Sequence, residues 1–159
     1  MPEKFKELLV HERTMKRTFE KKVKMIKLPA RIESLEELMG FVSSFARTAG
    51  FSGERIQEID LAMEEALVNI FSYAYGGDPG GEVEVRCRIE DEATLIVDIL
   101  DCGIPFDIRA VPPPDIRSEI SERGIGGLGI MLIKKMVDEV KYRREGECNI
   151  LTFVLRNNR

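Results

Sequence analysis

The chain has 159 residues, of which 43% are hydrophobic and 33% are charged, a composition typical of one globular domain with a buried core. No apolar run approaches the roughly 18 residues that a membrane span needs. The N-terminal sequence MPEKFKELLV is too charged for a signal peptide. We therefore expect a cytoplasmic protein with no membrane partner.

Charge is unevenly distributed along the chain. Residues 1–27 contain nine Lys and Arg against four Glu, whereas the whole chain carries a net charge of −4. The remainder is therefore acidic, which argues against nucleic-acid binding, because that binding depends on neutralising phosphates. We predict a basic N-terminal extension over residues 1–22, either a solvated arm or a contact for an acidic partner, and one folded domain over residues 23–159.

The cysteine and histidine content excludes several kinds of site. Cys87, Cys102 and Cys148 are isolated and form no Cys-x-x-Cys pair, which argues against a disulfide framework or a zinc site. They are predicted to be buried structural residues, with a reactive thiol as the alternative. The single histidine, His11, leaves no material for a histidine-rich metal site or a Ser–His–Asp triad.

The first half of the chain predicts one strand and two helices. A short strand over residues 23–28 is ended by Pro29. Ser34 and Glu37 have the spacing of a capping box, and the helix that they open is expected to stop at Gly50. A second helix runs from about residue 52 to about residue 75, with apolar residues at helical spacing.

The second half alternates strands with one long irregular segment. A Gly- and Pro-rich turn over residues 76–81 precedes two strands, at about 83–89 and 95–100. Residues 102–126 show no sustained period, and loops of that length are usually functional or disordered. A helix from about residue 128 and two strands near 139–144 and 148–155 complete the order. This order predicts an α+β two-layer sandwich, in which a mixed, largely antiparallel sheet carries helices on one face.

The middle of the second helix carries the first candidate motif, Glu65-Ala-Leu-Val-Asn69. Glu65 and Asn69 are four residues apart and share one helix face. An Asn between apolar neighbours inside a helix has poor propensity and needs a polar partner, which a ligand or a metal could provide. The alternative is an ordinary polar helix face.

The second motif is Asp101-Cys-Gly103-Ile-Pro105-Phe-Asp107, at the end of a predicted strand. The Asp101 carboxylate could accept a hydrogen bond from an exocyclic amine, and Gly103 would let a flat ring approach the backbone. A plain Asp-x-Gly turn is the alternative.

The third motif, Arg123-Gly124-Ile-Gly126-Gly127-Leu-Gly129, opens the last helix. Its glycines allow amide groups to converge at a helix N-terminus, which favours phosphate. No strand directly precedes it, so it fails the context of a dinucleotide fingerprint, and it lacks the Gly-Lys-Ser/Thr of a P-loop. A flexible hinge is the alternative.

Taken together and in this order, the three motifs resemble the N, G1 and G2 boxes of the GHKL ATPases, which have the Bergerat fold. Within that superfamily the chain is most similar to the small bacterial anti-sigma factor/serine-protein kinases. The resemblance runs from about Val23 to Leu155. It departs from the wider pattern at Pro105, where a glycine is usual, and at Tyr73, where a histidine is common.

The resemblance implies a role for each motif. Asn69 would hold Mg²⁺ against the phosphates of ATP, Asp101 would accept the adenine amino group, and Gly103 would lie beneath the base. A mobile lid over residues 106–123 would cover the nucleotide, with Arg123 near the γ-phosphate and Glu65 as general base. The phosphates would be wrapped by the glycines of the third motif: Gly124, Gly126, Gly127 and Gly129.

The same resemblance implies a Mg-ATP-dependent serine/threonine-protein kinase. Its substrate would be a serine of a STAS-type anti-anti-sigma partner, and it could also bind a sigma factor and form a homodimer. The alternative is an ATP-dependent partner-switching module without efficient kinase activity. A sensor histidine kinase is disfavoured, because only about 22 residues precede the domain and His11 lacks a dimerisation helix pair.

Overall fold

The computed structural model of the protein describes residues 22–113 and 127–157. These residues contain three α-helices and five β-strands, joined by turns and two short 3-10 segments. The helices are α1 (Leu35–Thr48), α2 (Gly53–Tyr73) and α3 (Gly127–Met136), and the strands are β1 (Lys24–Pro29), β2 (Glu82–Glu90), β3 (Thr94–Asp101), β4 (Glu139–Glu145) and β5 (Cys148–Arg156). The predicted extension over residues 1–22 lies outside this part of the chain apart from Lys22, so its boundary stays a prediction.

The five strands form one open sheet in the order β1-β2-β3-β5-β4. Each of the four neighbouring pairs is antiparallel. The predicted α+β sandwich with a largely antiparallel sheet is therefore confirmed.

Burial along the strands shows where the core lies. In β2 the buried residues alternate with partly exposed ones, as expected of a strand with one face against a core. The central strands β3 and β5 are buried along most of their length, and the apolar stripes of the helices pack over the sheet. The core combines strand residues with helix residues, among them Val85, Val97, Phe153, Leu38, Ile59 and Ile133.

The ends of the first two helices show one wrong prediction and one correct one. Ser34 does not cap α1 with its side chain, because it closes a 3-10 turn over Ile32–Ser34 and already has helical backbone angles. A capping residue usually has extended backbone angles, which turn its side-chain oxygen back toward the helix. Ser52 has such angles, and its side chain accepts a hydrogen bond from the Arg55 amide at the start of α2. Gly50 ends α1 as predicted, at φ +88°, a value that favours glycine.

A buried arginine joins the sheet to the helices at the end remote from Asp101. Arg55, 3% exposed, donates to the Met136 carbonyl at 2.6 Å and to the Arg156 carbonyl at 3.0 Å. It also pairs with Asp138 at 2.5 Å, and Asp138 accepts from the Arg156 amide at 2.8 Å. One guanidinium thus fixes the start of α2 against the end of α3 and the end of β5.

The cysteines follow the prediction only in part. Cys87 is a free, fully buried core residue on β2, as predicted. Cys102 and Cys148 instead form a disulfide, which corrects the expectation of three unpaired thiols. They meet because each adjoins one member of the pair formed by Asp101 and Asn149, opposite residues on β3 and β5.

Within the described ranges, no helix is both long and apolar enough to cross a membrane.

Candidate functional site

Asp101 is the last residue of β3 and points into the protein beneath the end of α2. Its side chain is buried, at 6% exposure. One carboxylate oxygen, Oδ1, accepts hydrogen bonds from Asn149 Nδ2 at 2.9 Å and from the Gly103 amide at 3.0 Å. Two donors on one oxygen hold the carboxylate in a fixed orientation, and among the described residues no hydrogen bond reaches its other oxygen, Oδ2.

Gly103 lies against the C-terminal end of α2. A Cβ at this position would overlap the backbone of Ala74, and the next amide, of Ile104, donates to the Ala74 carbonyl at 2.8 Å. The structure therefore explains this glycine by close backbone packing. Its predicted place beneath an adenine ring stays a prediction.

Asn69 faces the same small cavity as Asp101. The cavity, of about 40 Å³, lies between α2, the 101–108 segment and the ends of β4 and β5. Among the described residues, no hydrogen-bond partner is found for the Asn69 carboxamide. The apolar walls of the cavity would suit a flat ring and include Ile70, Ile104, Ile133 and Leu151.

Glu65 lies one helical turn before Asn69, about 6 Å along the axis of α2. Its carboxylate packs against the first turn of α3, where a Cβ on Gly129 would overlap it. A glycine at this position therefore leaves the room that the Glu65 carboxylate occupies. The side chain is half-buried, and it lies beside a helix N-terminus, which favours negative charge.

Asn149 is a site residue that the sequence reasoning missed. It is 4% exposed and uses all of its polar atoms. Its Nδ2 donates to Asp101 and to the Ile104 carbonyl at 2.8 Å, while its Oδ1 accepts from Tyr142 at 2.6 Å and from Arg144 at 3.0 Å. The sequence offered one indication of this role. Asn149 lies two, four and six residues before the buried residues Leu151, Phe153 and Leu155, and alternate residues of a strand share one face of the sheet.

Tyr75 was also missed, and it links three segments around the site. Its hydroxyl donates to the Glu82 carbonyl at 2.5 Å and accepts from the Cys102 amide at 2.8 Å. Burial, with a smaller contribution from the negative charge of Asp101, raises the pKa of Tyr75 above its ordinary value of 10.0. The phenol therefore stays protonated near neutral pH and keeps its donor role.

Asp107, the last residue of the second motif, faces away from the cavity. It accepts from the Arg109 amide at 3.0 Å and pairs with the Arg109 guanidinium at 2.8 Å. The hydrogen bond from Arg109 lowers the pKa of Asp107. Asp107 thus caps the 3-10 turn over Ile108–Ala110 and has no direct place in the cavity.

Part of the third motif cannot be placed. Arg123, Gly124 and Gly126 lie outside the described residues, as does the predicted lid beyond residue 113. Gly127 is the first residue of α3 and Gly129 lies in its first turn. The described half of this motif therefore occupies a helix N-terminus, as predicted, beside the carboxylate of Glu65.

A larger cavity of about 840 Å³ lies on the other side of the molecule, between α1 and the outer edge of β1. It is lined by residues such as Ile26, Phe41 and Phe45, and by none of the predicted site residues. We assign the functional site to the small cavity in spite of its size, because only there do the candidate polar groups meet.

The site offers few protein ligands for a metal ion. Across residues 22–113 and 127–157, no group of three or more His, Cys, Asp or Glu side chains could hold one. Magnesium usually keeps several waters and binds through one or two protein groups plus substrate phosphates. The free carboxamide of Asn69 fits that mode, in which the nucleotide would supply most of the ligands.

Comparison with known proteins agrees with this geometry. The histidine kinase-like ATPase domain family matches residues 28–155, most of the chain. The chain belongs to this family. The matched range includes all three motifs and both missed residues, and membership of this family supports ATP binding by the chain.

Curated relatives narrow the activity. The chain is 33% identical to the serine-protein kinase RsbW of Listeria monocytogenes over 132 residues, which cover 80% of this chain and 83% of that protein. It is 32% identical to the protein of the same name from Bacillus licheniformis over 121 residues, covering 73% and 74% of the two chains. With the ATPase domain, these relatives identify the chain as a serine/threonine-protein kinase of the GHKL type.

Solved structures support the fold. The RsbU and RsbW domains of a Mycobacterium tuberculosis protein align with a TM-score of 0.61 at 15% identity, covering 85% of this chain and 32% of that chain. A blue-light activated histidine kinase from Erythrobacter litoralis aligns with a TM-score of 0.52 at 19% identity, covering 77% and 42%. At these identities the likeness establishes the fold alone.

Proposed function

We propose that this kinase uses Mg-ATP to phosphorylate a serine of a STAS-type anti-anti-sigma protein, and that it also binds a sigma factor in the cytoplasm as a homodimer. The observation that carries the proposal is the convergence of Asn69 and Asp101 on one cavity, with Glu65 one helical turn away. The family match and the names of the curated relatives support the reaction class.

Asp101 is proposed to recognise the adenine. Its Oδ1 is held by Asn149 and Gly103, so a donor such as the exocyclic amine would meet Oδ2 in a fixed position. A buried carboxylate with only part of its acceptor capacity filled favours such a donor. Gly103 is proposed to lie beneath the base.

Asn69 is proposed to contribute one oxygen to the magnesium ion. Bound magnesium would neutralise charge on the phosphates, which phosphoryl transfer requires more than covalent help. The glycines of the third motif, Gly124, Gly126, Gly127 and Gly129, are proposed to surround the phosphates at the N-terminus of α3, where backbone amides favour anions. Arg123 is proposed to approach the γ-phosphate.

Glu65 is proposed to take the proton from the attacking serine hydroxyl. It lies on the same face of α2 as Asn69, and its carboxylate lies against Gly129, in the first turn of α3. A base must come within hydrogen-bond reach of the hydroxyl that it deprotonates, and this position would hold it beside the phosphates. The neighbouring Glu64 is exposed and points about 100° away around the helix, so it makes a matched control.

The test measures phosphate transfer from labelled ATP to a purified STAS partner, with ATP affinity determined for the same samples. Glu65→Gln should keep its ATP affinity and lose transfer by about 10²- to 10⁴-fold, whereas Glu64→Gln should resemble the wild type. Transfer by Glu65→Gln at the wild-type rate would remove Glu65 from the role of base. ATP binding without transfer to any STAS partner would favour a partner-switching module.

A further inference from the structure

The disulfide between Cys102 and Cys148 adjoins two residues that line the proposed nucleotide site, Asp101 and Asn149. Cys102 follows Asp101 directly, and Cys148 precedes Asn149 directly. The bond therefore joins the two strands beside the hydrogen bond that orients Asp101. Of the two cysteines, Cys102 is exposed and Cys148 is half-buried, so reagents in solution have access to the pair.

The disulfide acts with two hydrogen bonds to hold residues 102–104 against the far edge of the site. Asn149 Nδ2 donates to the Ile104 carbonyl at 2.8 Å, and Arg144 Nη1 donates to the Gly103 carbonyl at 3.1 Å. In this arrangement the cavity measures about 40 Å³, whereas small-molecule sites usually span about 300–1,000 Å³. A nucleotide therefore needs a wider opening than this arrangement gives, and movement of this segment away from β4 and β5 would provide it.

Of these three attachments to β4 and β5, only the disulfide cannot be replaced by hydrogen bonds to water. The two hydrogen bonds can break and be replaced by bonds to solvent at modest cost. The covalent bond keeps the start of the segment beside β5 whatever the ligand concentration. Reduction would therefore leave the segment free to open, and oxidation would hold the site narrow.

We propose that Cys102 and Cys148 form a reversible redox site that gates nucleotide binding, with low-molecular-weight thiols and their disulfides as its reactants. The inference rests on ATP binding at the site described above. Disulfides in cytosolic proteins are usually transient, and are either catalytic or redox-sensing, which agrees with a pair placed beside a ligand site.

The exchange proceeds in two balanced steps. A thiolate of a reducing dithiol attacks the exposed Cys102 sulfur, so that a mixed disulfide forms and Cys148 leaves as a thiolate. The second thiol of the reductant, as its thiolate, then attacks the mixed disulfide and releases the Cys102 thiolate. The reductant ends as its own disulfide, and both cysteine thiolates take protons from water. Oxidised glutathione reverses the sequence and leaves as two molecules of the thiol.

The third cysteine provides an internal contrast. Cys87 is fully buried, and burial together with the negative charge of Asp98 raises its pKa to about 12. Its thiol therefore stays protonated and unreactive at neutral pH. An alkylating reagent applied to the reduced native protein should modify Cys102 and Cys148 and leave Cys87 unmodified.

The test compares ATP affinity of the full chain in two redox states. The protein is equilibrated with dithiothreitol or with oxidised glutathione, its thiol state is read by alkylation and mass spectrometry, and ATP is titrated calorimetrically. We expect the reduced protein to bind ATP about tenfold more tightly than the oxidised protein, a coupling of ordinary size for linked sites. The double variant Cys102→Ser/Cys148→Ser, which leaves no thiol at this place for glutathione to modify, should bind like the reduced wild type under both conditions.

Linkage gives a second readout that does not depend on affinity measurements. Because the reduced form is expected to bind ATP tenfold more tightly, saturating ATP should raise the reduction potential of the pair by about 30 mV. In a fixed glutathione buffer, ATP should therefore increase the fraction of protein in which both thiols can be alkylated. Cys87→Ala, which keeps the pair, should show the same shift.

The remaining outcomes are distinct. Equal ATP affinity in both states, tighter binding by the oxidised state, or failure of the pair to form in oxidised glutathione would each overturn the redox inference and leave the kinase proposal standing. Absence of ATP binding in both states would overturn the proposed nucleotide site itself, and the redox inference with it.

Discussion

The carboxamide of Asn149 donates to the carboxylate of Asp101 over 2.9 Å, across the pair of opposite residues that these two form on β3 and β5. Both side chains are buried. The orientation of the proposed adenine acceptor is thus set by a residue 48 positions away in sequence.

Removing the carboxamide should damage both stability and ligand binding. Asn149→Ala removes one of the two donors to Asp101 and the Asn149 donor to the Ile104 carbonyl, so we expect a loss of about 1–3 kcal/mol in the free energy of unfolding and weaker ATP binding. Denaturant unfolding and calorimetric titration measure the two effects. Tyr142→Phe removes only one of the bonds to Asn149 and should cost less. Unchanged ATP affinity in Asn149→Ala would show that Asp101 does not need this orientation.

The free carboxamide of Asn69 predicts a magnesium-dependent effect. Asn69→Ala should lose the part of the ATP affinity that magnesium adds and retain the affinity measured in EDTA, because only a metal ligand is removed. Titrations with and without magnesium separate the two. Ser72→Ala, an exposed change on the same helix, serves as the control. An equal loss of affinity under both conditions would place Asn69 on the nucleotide and away from the metal.

Gly129 predicts a separation of stability from activity. A Cβ at this position meets the movable carboxylate of Glu65, so Gly129→Ala should change stability by no more than about 1 kcal/mol while displacing the proposed base. We expect slower phosphate transfer from a folded protein. Gly40→Ala, in open space on α1, should transfer phosphate at the wild-type rate. Normal transfer by Gly129→Ala would mean that Glu65 acts in another position.

The buried Arg55 predicts the largest loss of stability. Arg55→Ala removes the cation paired with Asp138 and the guanidinium donor to two carbonyls, and breaking a buried pair on one side costs about 3–5 kcal/mol. Thermal or denaturant unfolding measures the loss. Arg109→Ala, which breaks a largely exposed pair with Asp107, should cost less than about 1 kcal/mol. Similar losses for the two variants would show that the Arg55 network has little energetic weight.

The raised pKa of Cys87 predicts a loss of stability at alkaline pH. The folded value of about 12 lies above the ordinary value of 9.0, so the stability that the neutral thiol provides is complete below pH 9 and falls as pH rises towards 12. Above pH 9 the unfolded chain ionises first, and the slope is at most about 1.4 kcal/mol per pH unit. The difference in unfolding free energy between wild type and Cys87→Ala should shrink over this range. A constant difference would contradict the predicted shift.

Most elements of the fold could be predicted because their signals are local. Helical spacing located α1 and α2, alternation located β2, a continuous apolar run located β3, and Gly50 marked the end of α1. These patterns reflect side-chain periods of 3.6 and 2, which act within a few residues. The capping box predicted at Ser34 is wrong because the preceding 3-10 turn gives this residue helical backbone angles, which a capping residue does not have.

The sequence by itself determined the candidate polar residues: Asn69 lies between apolar helix residues, Glu65 shares its helix face, and Asp101 ends an apolar strand. Only the tertiary structure decided what surrounds them. The Asp101–Asn149 bond, the Cys102–Cys148 disulfide and the Arg55 network join residues 46 to 101 positions apart. Such contacts depend on the pairing of strands across the sheet, and pairing is set by the packing of the whole core, which no local pattern encodes.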